Sequence, residues 1–150
     1  MILEVSPNNS WPIEHFIPQE VKDESQLNTF VKTSDLIQTL QNWDIIRNYV
    51  NKSVIITDAC RFNGSPTSQH YFKRFNAIDG WVNGYTSEEL MEIVEGKNLG
   101  LGRGLYPENN GFIHLDNGRE PKPYRNGSVI RWYRDKFGKY HTVSNFKGLI

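Results

Sequence analysis

Residues 112–116 read Phe-Ile-His-Leu-Asp, and this short run constrains the fold more than any other part of the chain. Successive side chains of a strand point to opposite faces, so Phe112, His114 and Asp116 share one face while Ile113 and Leu115 take the other. Such a strand needs a sheet with one face packed in a core and the other able to satisfy an imidazole and a carboxylate. Polar groups buried without partners are costly, so His114 and Asp116 must find them.

The neighbouring segments supply a sheet and its cover. Ser34 or Asp35 can cap a helix, and Leu36, Ile37, Leu40, Trp43, Ile46 and Tyr49 build a wide apolar stripe along it to about Val50. The stripe reads as core. Residues 53–57 are short and β-branched, which predicts a buried strand, and Phe62-Asn63-Gly64-Ser65-Pro66 soon after it is a loop. Residues 75–82 predict a second strand. Thr86-Ser87-Glu88-Glu89 is a capping box that opens a short helix, with Gly96 as its expected stop. Residues 99–111, Leu-Gly-Leu-Gly-Arg-Gly-Leu-Tyr-Pro-Glu-Asn-Asn-Gly, read as a glycine-rich stretch leading to the strand at 112–116. Residues 129–133 and 140–143 predict a closing hairpin around a turn at 135–139. Helix, strand, strand, helix, strand, hairpin is the order of an α+β domain with a largely antiparallel sheet.

Length and charge narrow the function. A chain of 150 residues fits one domain and can bury roughly two-thirds of its unfolded surface. The 17 basic and 17 acidic residues cancel, so no field of one sign steers the chain to nucleic acid or an anionic membrane. Lys73, Arg74, Arg119, Lys122, Arg125, Arg131 and Arg134 are scattered among aromatics, as on a solvated surface, and no nucleic-acid partner is expected. No run approaches the roughly 18–20 apolar residues of a membrane span. The N-terminal segment has neither a basic start nor an apolar run, so it does not read as a secretory signal. Cys60 is the single cysteine, which excludes an internal disulfide and cysteine-rich zinc modules; it reads as a buried structural thiol.

Four histidines can be weighed singly. His15 lies in an arm punctuated by Pro7, Pro12 and Pro18, and His141 in the hairpin; both read as surface or half-buried side chains. His70 ends the polar loop Ser68-Gln69-His70, and Asp79 follows in the next apolar run. Two imidazoles and a carboxylate with a fourth position open are the ligand set of a catalytic zinc. The same residues also suit a structural network in which His114 bonds Asp116 or the backbone.

Three motifs in order carry a resemblance. Ser68-Gln69-His70 followed by Phe75-Asn76-Ala77-Ile78-Asp79 resembles the Ser-x-His-x-x-Gly-x-Ala-x-Asp motif of the zinc D-alanyl-D-alanine carboxypeptidases and murein endopeptidases, which share a fold with the Hedgehog proteins. Gly102-Arg103-Gly104-Leu105-Tyr106-Pro107 with Gly111-Phe112-Ile113-His114-Leu115-Asp116 is similar to that family's Gly-x-Gly-x-Tyr-Pro and Phe-x-His-x-Asp signature, and Arg131-Trp132 to its ending. Ile55-Ile56-Thr57-Asp58-Ala59-Cys60-Arg61 resembles the strand that ends in Ser-Gly-Tyr-Arg. The match runs over roughly residues 34–132. It implies a Hedgehog/DD-peptidase-like α+β fold, a largely antiparallel sheet flanked by helices, with residues 1–33 as an arm packed on the domain and 133–150 as a hairpin extension.

The resemblance further implies zinc held by His70, Asp79 and His114, and a peptidoglycan peptide as substrate. Arg61 would grip a substrate carboxylate or carbonyl, and Ser68, Tyr106 and Trp132 would line the substrate site. Asp116 would be either the general base or the partner that orients a ligand imidazole. The chain departs from the pattern in three places. Eight residues separate His70 from Asp79 where the family has six, Phe75 stands for a glycine, and Gly111 occupies the position where relatives carry an acid; Glu108 is the substitute candidate. These departures keep a second expectation open, a zinc-containing binding or structural module without turnover. A monomer acting on the cell wall, encoded by a phage or carried on its particle, is the expected setting.

Overall fold

The computed structural model describes residues 13–16, 34–59, 65, 68–71, 76–108, 111–117 and 128–150. They form an α+β unit of two helices and one six-stranded mixed sheet: α1 (Ser34–Val50), β1 (Val54–Asp58), β2 (Ala77–Val82), α2 (Ser87–Lys97), β3 (Gly102–Tyr106), β4 (Phe112–Asp116), β5 (Ile130–Arg134) and β6 (Tyr140–Val143). The strand order is β1-β2-β4-β3-β5-β6, antiparallel throughout except where β5 joins β3 in parallel. Among the described residues no helix is long and apolar enough to cross a membrane.

Several expectations need correction. β1, expected to be buried, is an edge strand with Ile55 43% exposed. The glycine-rich stretch after α2 is not only a connection, because Gly102–Tyr106 is a strand at the centre of the sheet, between β4 and β5. Glycine weakens strands on average, but here its missing side chain is needed, as the site shows below. Gly96 does not stop α2 either. The helix runs to Lys97, and Asn98 takes the left-handed cap with φ 53°, its N–H donating to Glu95 O. Asparagine tolerates that conformation where most residues do not. At the other end Thr86 caps as expected, its side chain accepting from Glu89 N.

The period-two pattern sorts the sheet into unlike faces. Ile78, Val82, Leu105, Ile113 and Leu115 are fully or almost fully buried in one cluster with Leu36, Leu40, Trp43 and Ile46 of α1 and Leu90, Met91 and Val94 of α2. Both helices therefore cover the same face, rather than flanking the sheet. Ile13 and Phe16 join that cluster, and the backbone N–H groups of Glu14 and His15 donate to the Asp44 carboxylate, so this part of the N-terminal arm is packed on α1. β5 lies inside the sheet, and Phe146 is 1% exposed in the core, so the strand order carries the chain continuously past position 133. The helix-free face carries Asp79, His114, Asp116 and Trp132.

Candidate metal centre

His114 sits on β4, the strand flanked by β2 and β3. The register sets Asp79 of β2 directly opposite it, and Gly104 of β3 opposite on the other side. Directly paired residues on antiparallel strands have side chains on the same face, a few ångström apart. His70 arrives from outside the sheet, on the turn at 68–71. Ser68 Oγ accepts from His70 N at 3.2 Å, and Gln69 is clamped to Asn76, just before β2, by Asn76 N to Gln69 O at 3.1 Å and Asn76 Nδ2 to Gln69 Oε1 at 2.7 Å. That clamp brings His70 beside Asp79 despite the eight intervening residues.

Three atoms converge. His114 Nδ1 is 2.8 Å from Asp79 Oδ1, His70 Nε2 is 3.2 Å from the same oxygen, and the two ring nitrogens are 3.3 Å apart. The far nitrogens decide the protonation. His70 Nδ1 donates to the Ala59 carbonyl at 2.8 Å, and His114 Nε2 donates to Asp116 Oδ2 at 2.8 Å. A carbonyl and a carboxylate only accept, so both rings turn their other nitrogen, a lone-pair atom when neutral, toward Asp79 Oδ1. Three acceptors this close repel one another unless a cation lies among them.

In the metal-free chain that cation is a proton. Burial opposes charge on His114, yet the Asp79 carboxylate beside it and the hydrogen bonds to Asp116 and Asp79 raise its pKa to about 10. Burial likewise pushes Asp79 up, but the charge and hydrogen bonds of His114 and His70 outweigh it and hold Asp79 well below the usual carboxylate range. A metal ion suits the same place. Donors at about 2.0–2.2 Å around a tetrahedral ion stand roughly 3.3 Å apart. All three residues are buried, and each directs one donor atom to the common point, so the group could hold a metal ion. Each imidazole already has the outer partner that metal-bound histidines usually have.

The two glycines of β3 leave room for the site's walls. A methyl group at Gly102 would overlap the Asp116 carboxylate, and one at Gly104 would lie 2.7 Å from the Trp132 indole. The Asp116 carboxylate thus lies over Gly102, and Trp132 of β5 reaches across Gly104 toward His114, only because these positions lack side chains. The Trp132 ring packs 5.0 Å from the His114 ring at 57°, and its Nε1 donates to the Tyr106 hydroxyl at 3.1 Å. Tyr106 stacks on Phe112 with ring centroids 4.4 Å apart.

The expected site residues therefore divide. His70, Asp79 and His114 meet, with Asp116, Trp132 and Tyr106 around them. Asp116 is 0% exposed and bonded to the ring edge remote from the converging atoms, the position of an orienting partner. Ser68 holds the turn of His70. Glu108 pairs with Arg134 Nη2 at 4.0 Å. Arg61, Phe75 and Cys60 lie outside the described residues. Gly111 has no room for an acid, since a Cβ there would be 2.7 Å from Ser87 Oγ and 2.8 Å from Tyr106 O. The remaining histidines are accounted for locally: His15 Nε2 bonds Asn48 Oδ1, and His141 bonds Asp135 and stacks on Tyr133.

Sequence reasoning missed the Ala59 carbonyl, the Gln69–Asn76 clamp and Arg134. A backbone acceptor leaves no trace in residue identity, and the clamp depends on where a turn lands. The glycine spacing at 102 and 104 was the available signal for what crosses β3. Comparison with family models, curated proteins and solved structures finds no match to this chain.

Proposed function

We propose that this chain is a zinc-dependent peptidase acting on peptidoglycan peptides, as a D,D-carboxypeptidase or cross-link endopeptidase. The observation that carries the proposal is the convergence of His70 Nε2, Asp79 Oδ1 and His114 Nδ1, with both tautomers set by outer partners. Two imidazoles and one carboxylate suit zinc, and three protein ligands leave a position open, as catalytic sites do. The resemblance of the ordered motifs to the zinc carboxypeptidases and murein endopeptidases supports the substrate class.

A zinc ion held there would supply a Lewis acid for a peptide carbonyl and lower the pKa of a water. The protein's own part is positioning. Asp116 and the Ala59 carbonyl hold the imidazoles with their free nitrogens inward, so little reorganisation is needed on loading. Trp132 and Tyr106 form a semi-buried wall that orients a ligand and excludes water on one side. With Asp116 committed to His114 and Glu108 paired with Arg134 beyond Tyr106, no second carboxylate is assigned to proton transfer, and the metal-activated water is the proposed nucleophile. A cell-wall substrate places the action at the wall, with phage lysis or a virion as the proposed setting.

Two observations favour a second reading. Gly111 leaves no space for the acid that relatives carry there, and Asp116 faces away from the converging atoms. The fold would then be a zinc-stabilised binding module. Elemental analysis of the purified protein beside His114→Ala, followed by digestion of muropeptides, separates the readings. About one zinc per chain, lost in the variant, with release of D-alanine or cleaved cross-links supports the peptidase. Zinc without any hydrolysis supports the module, and a well-folded protein that binds no metal sinks both.

A further inference from the structure

Beyond Trp132, the metal-bearing face continues to a cation the proposed chemistry has not used. Arg134 stands two residues after Trp132 on β5, so it shares the same face roughly 7 Å further along the strand. Its guanidinium lies over the Tyr106 ring, 5.1 Å from the centroid, and the Tyr106 hydroxyl in turn accepts from Trp132, which packs on His114. The cation is thereby held in a fixed plane next to the site, and its side chain is 32% exposed.

Its only ion-pair partner among the described residues is loosely engaged. Arg134 Nη2 is 4.0 Å from Glu108 Oε2, too far for a hydrogen bond, while Arg134 Nε and Glu108 Oε1 are shut from solvent without a hydrogen-bond partner. Buried polar atoms are nearly always satisfied, so this pair is incomplete as it stands. A planar guanidinium with unused donors matches a carboxylate in bidentate fashion. A phosphate dianion matches less well, because its second charge would meet Glu108. A peptide advances about 3.3 Å per extended residue, so a group reaching Arg134 lies within one or two residues of a bond at the metal row.

We propose that Arg134, backed by Tyr106 and offset by Glu108, is a specificity-determining residue that binds a substrate carboxylate one or two residues from the scissile bond. This rests on the peptidase reading. It selects peptides with a free carboxylate over their amides.

The test uses zinc-loaded protein and two forms of one probe, diacetylated L-Lys-D-Ala-D-Ala with its last amide reduced to a methylene-amine, ending in carboxylate or carboxamide. Calorimetry reads binding without hydrolysis. The wild type is expected to favour the carboxylate form roughly 10- to 100-fold, the worth of a charged hydrogen-bonded contact. Arg134→Ala should remove that preference and leave carboxamide binding unchanged. Arg134→Lys should keep part of it, which decides the matter if the alanine variant loses zinc or unfolds. Equal binding of both forms by a wild type that hydrolyses muropeptides would overturn this inference alone, as would a preference that survives in Arg134→Ala. A wild type that binds neither form and hydrolyses nothing would overturn the peptidase reading with it.

Discussion

Two polar clusters lie on opposite faces of the same sheet, and they solve the problem of buried charge differently. On the helix face, Arg103 is 1% exposed and directs its guanidinium to Glu95, to Asn98 Oδ1 at 2.6 Å and to Gly100 O at 3.1 Å. Arg131 on β5 meets the same Glu95 at 2.6 Å and 3.3 Å. Donors face acceptors throughout, and the cluster closes on itself, tying the end of α2 to β3 and β5. On the other face, His70, Asp79 and His114 aim acceptors at one point. The first arrangement needs nothing from outside. The second is completed by a cation, which is the difference between a structural ion network and a candidate ligand site.

The comparison predicts different consequences for damage to each. Glu95→Ala leaves two guanidinium groups without their shared carboxylate, one of them buried, and is expected to cost about 3 kcal/mol or more in denaturant unfolding. Zinc content per folded molecule should not change; a variant that folds normally but loses zinc would erase the distinction between the clusters. Asp116→Asn should do the reverse. Metal affinity falls about 10- to 100-fold in competition with a chromophoric chelator, as for other outer partners of metal-bound histidine. Fold stability of the metal-free chain should move less than in Glu95→Ala.

A smaller effect sharpens the role of β3. Gly104→Ala pushes a methyl group into the Trp132 indole, so about 1–3 kcal/mol of stability is lost and Trp132 emission shifts as the ring leaves His114. An unchanged spectrum would mean that Trp132 does not depend on the glycine.

Proton linkage separates the clusters by sign. His114, with its pKa raised to about 10, keeps a proton through the neutral range, and a metal must expel it. Zinc binding near pH 7.5 is expected to release close to one proton, seen as a dependence of calorimetric heat on the buffer's ionisation enthalpy. Affinity accordingly rises with pH. Glu95 shifts the other way. Burial opposes its charge, but the hydrogen bonds and charges of Arg131 and Arg103 hold its pKa below the usual 4.5. Its contribution to stability is full above pH 4.5 and lost as pH falls through the depressed value, a limb that Glu95→Gln should lack.

Most local elements were legible in the sequence, and so were the three residues that the fold brings together as a group able to hold a metal ion. The alternation at 112–116, the apolar stripe of α1, the Thr86 cap and the hairpin at 130–143 each express a period or a cap, which neighbouring residues alone can dictate. β3 was not legible, because Gly102 and Gly104 look like loop residues until Asp116 and Trp132 are seen lying across them. Nor was the position of Asp116, whose carboxylate lies on the outer edge of the His114 ring.

What the sequence determined by itself is which side chains share a face, since that follows from a two-residue period. What only the tertiary structure decided is which faces meet. The register of β2 on β4 brings Asp79 to His114, and the Gln69–Asn76 clamp brings His70 to both. Register and loop closure depend on contacts between residues far apart in the chain, so no local pattern encodes them.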